Sequence, residues 1–307
     1  MHPTIALLID NIEKAIIGKT DAVTMVIGAL LCGGHVLIED VPGVGKTQLV
    51  LALAQSVGGK FNRIQLTPDI MPSDIVGFSM PNMVTKEFEF KPGAAMCNFL
   101  LADEINRASP KVQSSLLEVM EERQVTVDTC SYVLPRPFMT LATQNPIETF
   151  GTYHLPEAQM DRFLIRISLG YLDQDTEIQL LDRKITEQTN VNLSAVLTES
   201  EIIQMQEEVQ NIKSHDSIKE YIIKLVNSTR NNENLKLGVS PRGSIGLHNM
   251  AKAVAFIVGR EFITPDDVLR CAVPVLAHRI ILSQRGKGAF KTTQSAVENL
   301  LKSIIIP

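Results

Sequence analysis

The chain has 307 residues, 45% of them hydrophobic and 21% charged, which suits a globular protein with room for two domains. Its longest apolar run, VTMVIGALLCGGHVLI at 23–38, is broken by Gly33, Gly34 and His35, so no membrane insertion is expected. The formal net charge of −5 hides an imbalance: residues 171–210 hold 9 acids against 2 bases, whereas 211–307 hold 7 acids against 14 bases. Such blocks are ordinarily solvated helix surface, and complementary docking faces are the alternative.

The N-terminus, MHPTIALLIDNIEK, has no basic segment ahead of its apolar residues, which argues against a signal peptide. Cys32, Cys97, Cys130 and Cys271 lie far apart without metal-type spacing and read as core thiols of a reducing compartment, with the cytoplasm expected.

Along the chain, short apolar runs at 35–39, 61–66, 98–102, 138–143 and 163–169 read as strands. Helical patterns from Lys46 to about Val57 and from about Pro110 to Glu122 alternate with them, the second with Ser109 as N-cap and Pro110 at the first helical position. The alternation predicts an α/β fold, a parallel sheet layered between helices. Two stretches break it. Residues 75–93 look like an inserted ribbon, and 123–137 alternate like a hairpin.

After LDQD (172–175) the pattern becomes helical. Thr198 with Glu201 forms a capping-box signature, and Ile218, Tyr221, Ile222, Leu225 and Val226 follow helical spacing. SPRG at 240–243 and TPDD at 264–267 each open a further helix. The expected division is an α/β core at 1–172 and a small helical domain at 173–307.

The segment EDVPGVGKTQ (39–48) lies between a predicted strand and helix, the context a phosphate-binding loop requires. Gly43 and Gly45 allow close backbone approach, Lys46 can reach β- and γ-phosphates, and the Thr47 hydroxyl can hold Mg²⁺. Pro42, Val44 and Gln48 complete the stretch. The usual first glycine, which eases a turn at the strand end and touches no phosphate, is replaced by Asp40, so the change is expected to be tolerated.

Further on, FLLADEINR (99–107) ends a strand in two acids: Asp103 for the metal shell and Glu104 to polarise an attacking water. In LATQNP (141–146), Asn145 could orient that water or mark a turn. Arg162, in PEAQMDRFLIR, could pair with Glu157 or Asp161 or reach a neighbouring subunit. Arg242, in the first turn after SPRG, stands where the helix dipole disfavours a cation unless an anion is near.

These segments, with LTPDIMPSDIVGF and TPDDVLRCAVPVLAHRIIL, resemble the MoxR family of AAA+ ATPases, in order over most of the chain. The family commonly carries aspartate before VPG. The resemblance implies a P-loop AAA+ core with a helical lid, binding ATP or ADP with Mg²⁺ and hydrolysing ATP to ADP and phosphate. Lys46 and Thr47 would be Walker A, Asp103 and Glu104 Walker B, Asn145 sensor 1 and Arg242 sensor 2. Arg162, ahead of Arg166, would be the arginine finger given to the next protomer. Ile17 and Gly18 would touch adenine. Residues 75–93 would be the helix-2 insertion and 123–137 the hairpin before sensor 1. The run KPGAAMCN (91–98) departs from the GPIFAN-like pattern, which bears on the conformation of the insertion.

The resemblance also implies a homo-oligomeric ring, expected as a hexamer, acting as a chaperone-like motor on a protein client. A partner with a von Willebrand factor A-type domain would fit the family. A nucleic-acid motor is the alternative, but the two loops that would face a pore are near neutral, so no nucleic acid is expected. A scaffold with little hydrolysis is the other, opposed by Glu104, Asn145 and Arg242 together. Met71, Met80, Met83 and Met96 around the insertion could be a pliant contact surface or gap-filling packing.

Overall fold

The computed structural model describes residues 1–146, 151–185 and 193–306. Part of the family-like stretch that begins ATQNP therefore lies outside the described residues. Helices α1 (Pro3–Glu13) and α2 (Thr20–Leu31) precede β1 (Val36–Glu39), α3 (Lys46–Val57), β2 (Phe61–Gln65) and α4 (Pro72–Val76). A hairpin of β3 (Gly77–Pro81) and β4 (Phe88–Pro92) leads to β5 (Phe99–Asp103) and α5 (Pro110–Glu122). A second hairpin, β6 (Gln124–Val127) and β7 (Cys130–Val133), leads to β8 (Met139–Gln144), α6 (Glu157–Met160) and β9 (Ile165–Ile167). Each run read as a strand forms one, within two residues of its expected ends.

Five of these strands form one parallel sheet in the order β2-β5-β8-β1-β9. Strand periodicity explains its layers. Val36 and Ile38 of β1, with Phe99, Leu101, Met139 and Leu141, enter one apolar cluster; Leu37, Leu100 and Ala142 enter the other. Both faces are thus covered, as parallel sheets require. The hairpins are tied together by Phe90 and Tyr132, whose rings stack at 3.9 Å.

The remainder comprises α7 (Gln174–Ile185), α8 (Glu199–Gln210), α9 (Asp216–Arg230), β10 (Leu235–Leu237), α10 (Pro241–Ile257), α11 (Pro265–Leu276), β11 (Ile281–Leu282), α12 (Gln284–Ala289) and α13 (Thr293–Ser303). Thr198 and Glu201 form the expected capping box, and Ser240 caps α10 by accepting from the Gly243 N–H. Ser109 occupies the N-cap of α5 but makes no side-chain cap bond. One feature escaped the helical pattern: β10 and β11 pair antiparallel. Strands this short carry too little alternation to register in a sequence. The apolar cluster on the α1–α3 side of the sheet runs on into α8–α11 and α13, so core and helical domain share one hydrophobic interior.

Among the four free cysteines, Cys130 is exposed, contrary to the expectation of a core thiol. It begins β7 just after the hairpin turn.

His35, at the entrance to β1, is buried: its Nε2 lies 3.0 Å from the Met120 carbonyl and its Nδ1 accepts from the Thr140 N–H at 2.9 Å. Burial pulls its pKa from 6.5 to about 4. The unfolded chain therefore binds one more proton between those values, and stability is lost as pH falls through this window. The expected loss is about 3 kcal/mol, read as a falling denaturant midpoint whose slope flattens in His35→Asn.

Candidate nucleotide site

The carboxyl ends of parallel strands are where α/β sheets place their ligands. Here β1, β2, β5 and β8 end around one cleft of ≈ 470 Å³. It is lined by Pro42, Gly43, Gly45, Lys46, Thr47, Gln48, Arg63, Gln65, Asp103, Glu104 and Asn145. Gly43 and Gly45 have φ of 85° and 92°, left-handed values that make glycine the suitable residue, and Gly45 is the N-cap of α3. The helix N-terminus thus faces the cleft with free amide groups, a ready anion site. Val44 turns away and packs against the apolar interior.

Glu104 follows β5 in a left-handed conformation (φ 59°, ψ 52°), which a non-glycine residue adopts only at a cost and often at functional sites. Its N–H donates to Thr143 Oγ1 at 2.9 Å, and that hydroxyl donates to Asp103 Oδ1 at 2.5 Å. The two acids are thereby oriented by β8, the neighbouring strand. Asn145, also past the end of β8, is buried at the cleft.

Two residues that sequence reasoning passed over share this cleft. Gln65 Nε2 donates to Glu104 Oε2 at 2.7 Å, and Arg63 Nη2 meets Asp103 Oδ2 at 2.7 Å. Arg107 Nε lies 3.2 Å from Glu104 Oε2. The signal available was a pair of polar residues two apart at the end of a strand, which an exposed edge would also show.

Thr47 and Asp103 offer one hydroxyl and one carboxylate, hard oxygen donors that suit Mg²⁺ completed by phosphate oxygens and water. Among the described residues no three His, Cys, Asp or Glu gather to hold a metal by themselves. An ion bound chiefly through phosphate needs no such cluster.

Asp40 does more than ease a turn. It is buried, and its Oδ2 accepts from the N–H groups of Leu169 (2.5 Å) and Gly170 (2.8 Å) and from the Ser168 hydroxyl (3.1 Å). Lys46 Nζ donates to its backbone oxygen at 3.1 Å. The carboxylate therefore clasps the loop to the strand exit that leads to α7. Restoring the usual glycine would leave those amides without a partner. Asp40→Gly is expected to lower unfolding free energy by about 3 kcal/mol, checked by denaturant titration.

Ile17 and Gly18 do not line the cleft, but their segment lies beside it: Ile16 Cδ1 is 3.5 Å from the position a Cβ on Gly45 would take. Gly18, with φ of +70°, sits against Thr176 at the start of α7.

Arg162 and Arg242 lie elsewhere. They line a separate recess of ≈ 210 Å³ with Glu121, Arg123 and Arg279. Arg242 Nη2 pairs with Glu121 Oε2 at 2.6 Å, and this bond holds the Glu121 carboxyl below its ordinary pKa. Asp161 is not Arg162's partner. It binds Arg279 Nε at 2.6 Å and accepts from the Ser240 hydroxyl at 2.8 Å. Arg279, only 2% exposed, also donates to the carbonyls of Phe163 and Leu164. This buried knot fixes α6 against the start of α10, so Arg162 and Arg242 move as one unit. Arg166 is engaged within the chain, by Glu39 at 3.1 Å and Thr293 at 3.1 Å.

Known proteins share this fold. Residues 35–165 match the ATPase family associated with various cellular activities (AAA), and 227–300 match the AAA lid domain. The uncharacterized protein YeaC of Bacillus subtilis is 45% identical over 307 residues, which cover 100% of this chain and 96% of that one. Chaperone MoxR1 of Mycobacterium tuberculosis is 38% identical over 313 residues, covering 99% of this chain and 82% of its own length. A crystallised protein of Cytophaga hutchinsonii, described as a presumed ATPase, superposes with a TM-score of 0.92 at 37% identity, over 100% of this chain and 96% of that one. On fold, cleft and kinship together, the chain belongs to the MoxR family of AAA+ ATPases.

Proposed function

We propose that the protein hydrolyses ATP to ADP and phosphate as a ring of identical copies and uses the cycle to remodel a protein client. The observation that carries this reading is the separation of the expected site residues into two recesses. The cleft holds the loop, Lys46, Thr47, Asp103, Glu104 and Asn145, while Arg162 and Arg242 stand together in another recess. Two arginines gathered beside the half-exposed Glu121, which pairs with Arg242, are explained if an adjacent copy presents its triphosphate to them. An exposed arginine pair is the bland reading, and the buried knot of Asp161 and Arg279 beneath them speaks against it.

In this scheme Lys46 and the loop amides hold the phosphates, Glu104 takes a proton from the attacking water, and Asn145 positions that water. Mg²⁺, held by Thr47 and Asp103, would neutralise charge on the phosphate oxygens. Arg162 and Arg242 of the next copy would stabilise charge at the breaking bond. Arg242 is thus read as acting on a neighbour, in place of the same-chain role first expected for it.

The client surface is proposed to be the tip of the β3–β4 hairpin. Met83 is 88% exposed, with Met80, Val84 and Phe88 exposed beside it, and Met96 alone of the methionines near the insertion packs inward. Apolar side chains on a near-neutral tip suit an unfolded protein segment better than a phosphate backbone. Replacing Met83 and Phe88 by Asp is expected to abolish stimulation of turnover by casein while basal turnover stays within about twofold, since exposed tips contribute little to stability. Salt-sensitive binding of DNA with DNA-stimulated turnover would instead support a nucleic-acid motor.

A further inference from the structure

Helix α7 touches the rest of the chain through Thr176, which is buried against Gly18, yet it leaves apolar side chains in solvent. Leu181 is 63% exposed and Ile178 is exposed three residues before it, so both lie on one helix face; Tyr171 is exposed just ahead of the helix. Acids precede them in sequence, at Asp173, Asp175 and Glu177, while Asp182, Arg183 and Lys184 follow. An apolar pair on a polar helix calls for a cover.

A matching groove lies between α9 and α10. Its walls are Lys219, Ile222, Ile223, Ser244, Ile245 and His248, around ≈ 230 Å³. Ile245 is 62% exposed and Ile223 is exposed across from it. Helix α10 contains no acidic residue, while Arg242, His248 and Lys252 lie along it. The groove is therefore apolar at its floor, with Lys219, which also meets Asp216 at 2.9 Å, and His248 at its rim.

Position selects the occupant. Ile245 lines both this groove and the recess that holds Arg162 and Arg242. If those arginines meet the cleft of an adjacent copy, Ile245 arrives beside whatever flanks that cleft. Helix α7 flanks it, because Thr176 packs on Gly18 and the neighbouring Ile16 reaches Gly45. We infer that α7 of each copy inserts Ile178 and Leu181 into the α9–α10 groove of the adjacent copy, with Asp175 and Glu177 towards Lys219 at its rim. The contact would join the adenine end of one nucleotide site to the helix that carries the arginine serving it. This inference rests on the shared-site reading above.

The test uses two full-length chains, both carrying Cys130→Ser and Glu104→Gln, one with Leu181→Cys and the other with Ile245→Cys. Mixed with ATP and Mg²⁺ and treated with a short bismaleimide, they are expected to yield a cross-linked heterodimer that neither chain forms alone. Separately, Leu181→Glu is expected to raise the protein concentration at half-assembly about 30-fold, and adding Ile245→Lys to recover most of it. Absence of the heterodimer while light scattering reports full assembly would overturn the docking. So would a Leu181→Glu chain that assembles normally, or one that Ile245→Lys leaves unrescued although Ile245→Lys alone still assembles. Failure of the shared-site reading has a different signature: turnover of Arg162→Ala chains would not recover when they are mixed with Lys46→Ala chains. If recovery occurs without the cross-link, the arginines cross between copies and only the α7 contact is wrong.

Discussion

Glu104→Gln is expected to lower ATP turnover by about 10²–10⁴-fold while leaving nucleotide affinity within a few-fold of the unmodified protein. The carboxylate sits at the cleft but off the loop that would hold the phosphates, so its removal takes away a proton acceptor and little binding. The amide is of nearly the same shape and can still meet Gln65 and Arg107, which hold Glu104 Oε2 at 2.7 and 3.2 Å. The left-handed backbone at this residue is retained, since nothing in the exchange alters it. Single-turnover hydrolysis alongside equilibrium binding of a fluorescent ATP analogue separates the two quantities. An equal loss in both would mean that Glu104 belongs to binding and not to the chemical step.

Arg162→Ala and Arg242→Ala are expected to behave alike, each lowering turnover by about 10³-fold or more in an assembled ring with little change in ADP affinity. The two side chains line one recess, and the segments that carry them are tied through Asp161, Ser240 and Arg279, so losing either leaves the other alone at the recess. Mixing is the decisive measurement. Arg162→Ala chains keep a complete cleft, whereas Lys46→Ala chains keep their arginines. Equal mixtures are expected to regain turnover on the order of a hundredfold over either variant alone, because one copy supplies what the next lacks. Turnover that follows the simple average of the two variants would place both arginines in the same chain as the phosphate they serve.

Much of the candidate site was readable because phosphate chemistry is written locally. Left-handed glycines ahead of a helix, a lysine and hydroxyl in its first turn, and acids at a strand end each depend on neighbours a few residues away. The two hairpins were readable for the same reason, as was the covering of the sheet by helices. The supporting residues were not. Gln65 and Arg63 have meaning only because β2 pairs with β5 in a register that sets Gln65 opposite Asp103. Asp40 looked like a tolerated departure until Leu169 and Gly170 proved to need its carboxylate, some 130 residues later. Exposure at the hairpins was also undecided: the methionines there could fill gaps or face solvent, and Cys130 was placed on the wrong side.

The order of residues by itself determined the sheet and the make-up of the phosphate loop, since each follows from periodicity or from backbone geometry over a handful of positions, while the family came from the resemblance of motifs in order along the chain. Tertiary structure alone decided that Arg242 would stand with Arg162 and away from Lys46. That outcome depends on how the helical domain seats its apolar faces against α2 and the sheet, and on one buried arginine at position 279 that ties α6 to α10. Burial of those faces is a sum over distant contacts, and no local pattern records which way the lid will turn.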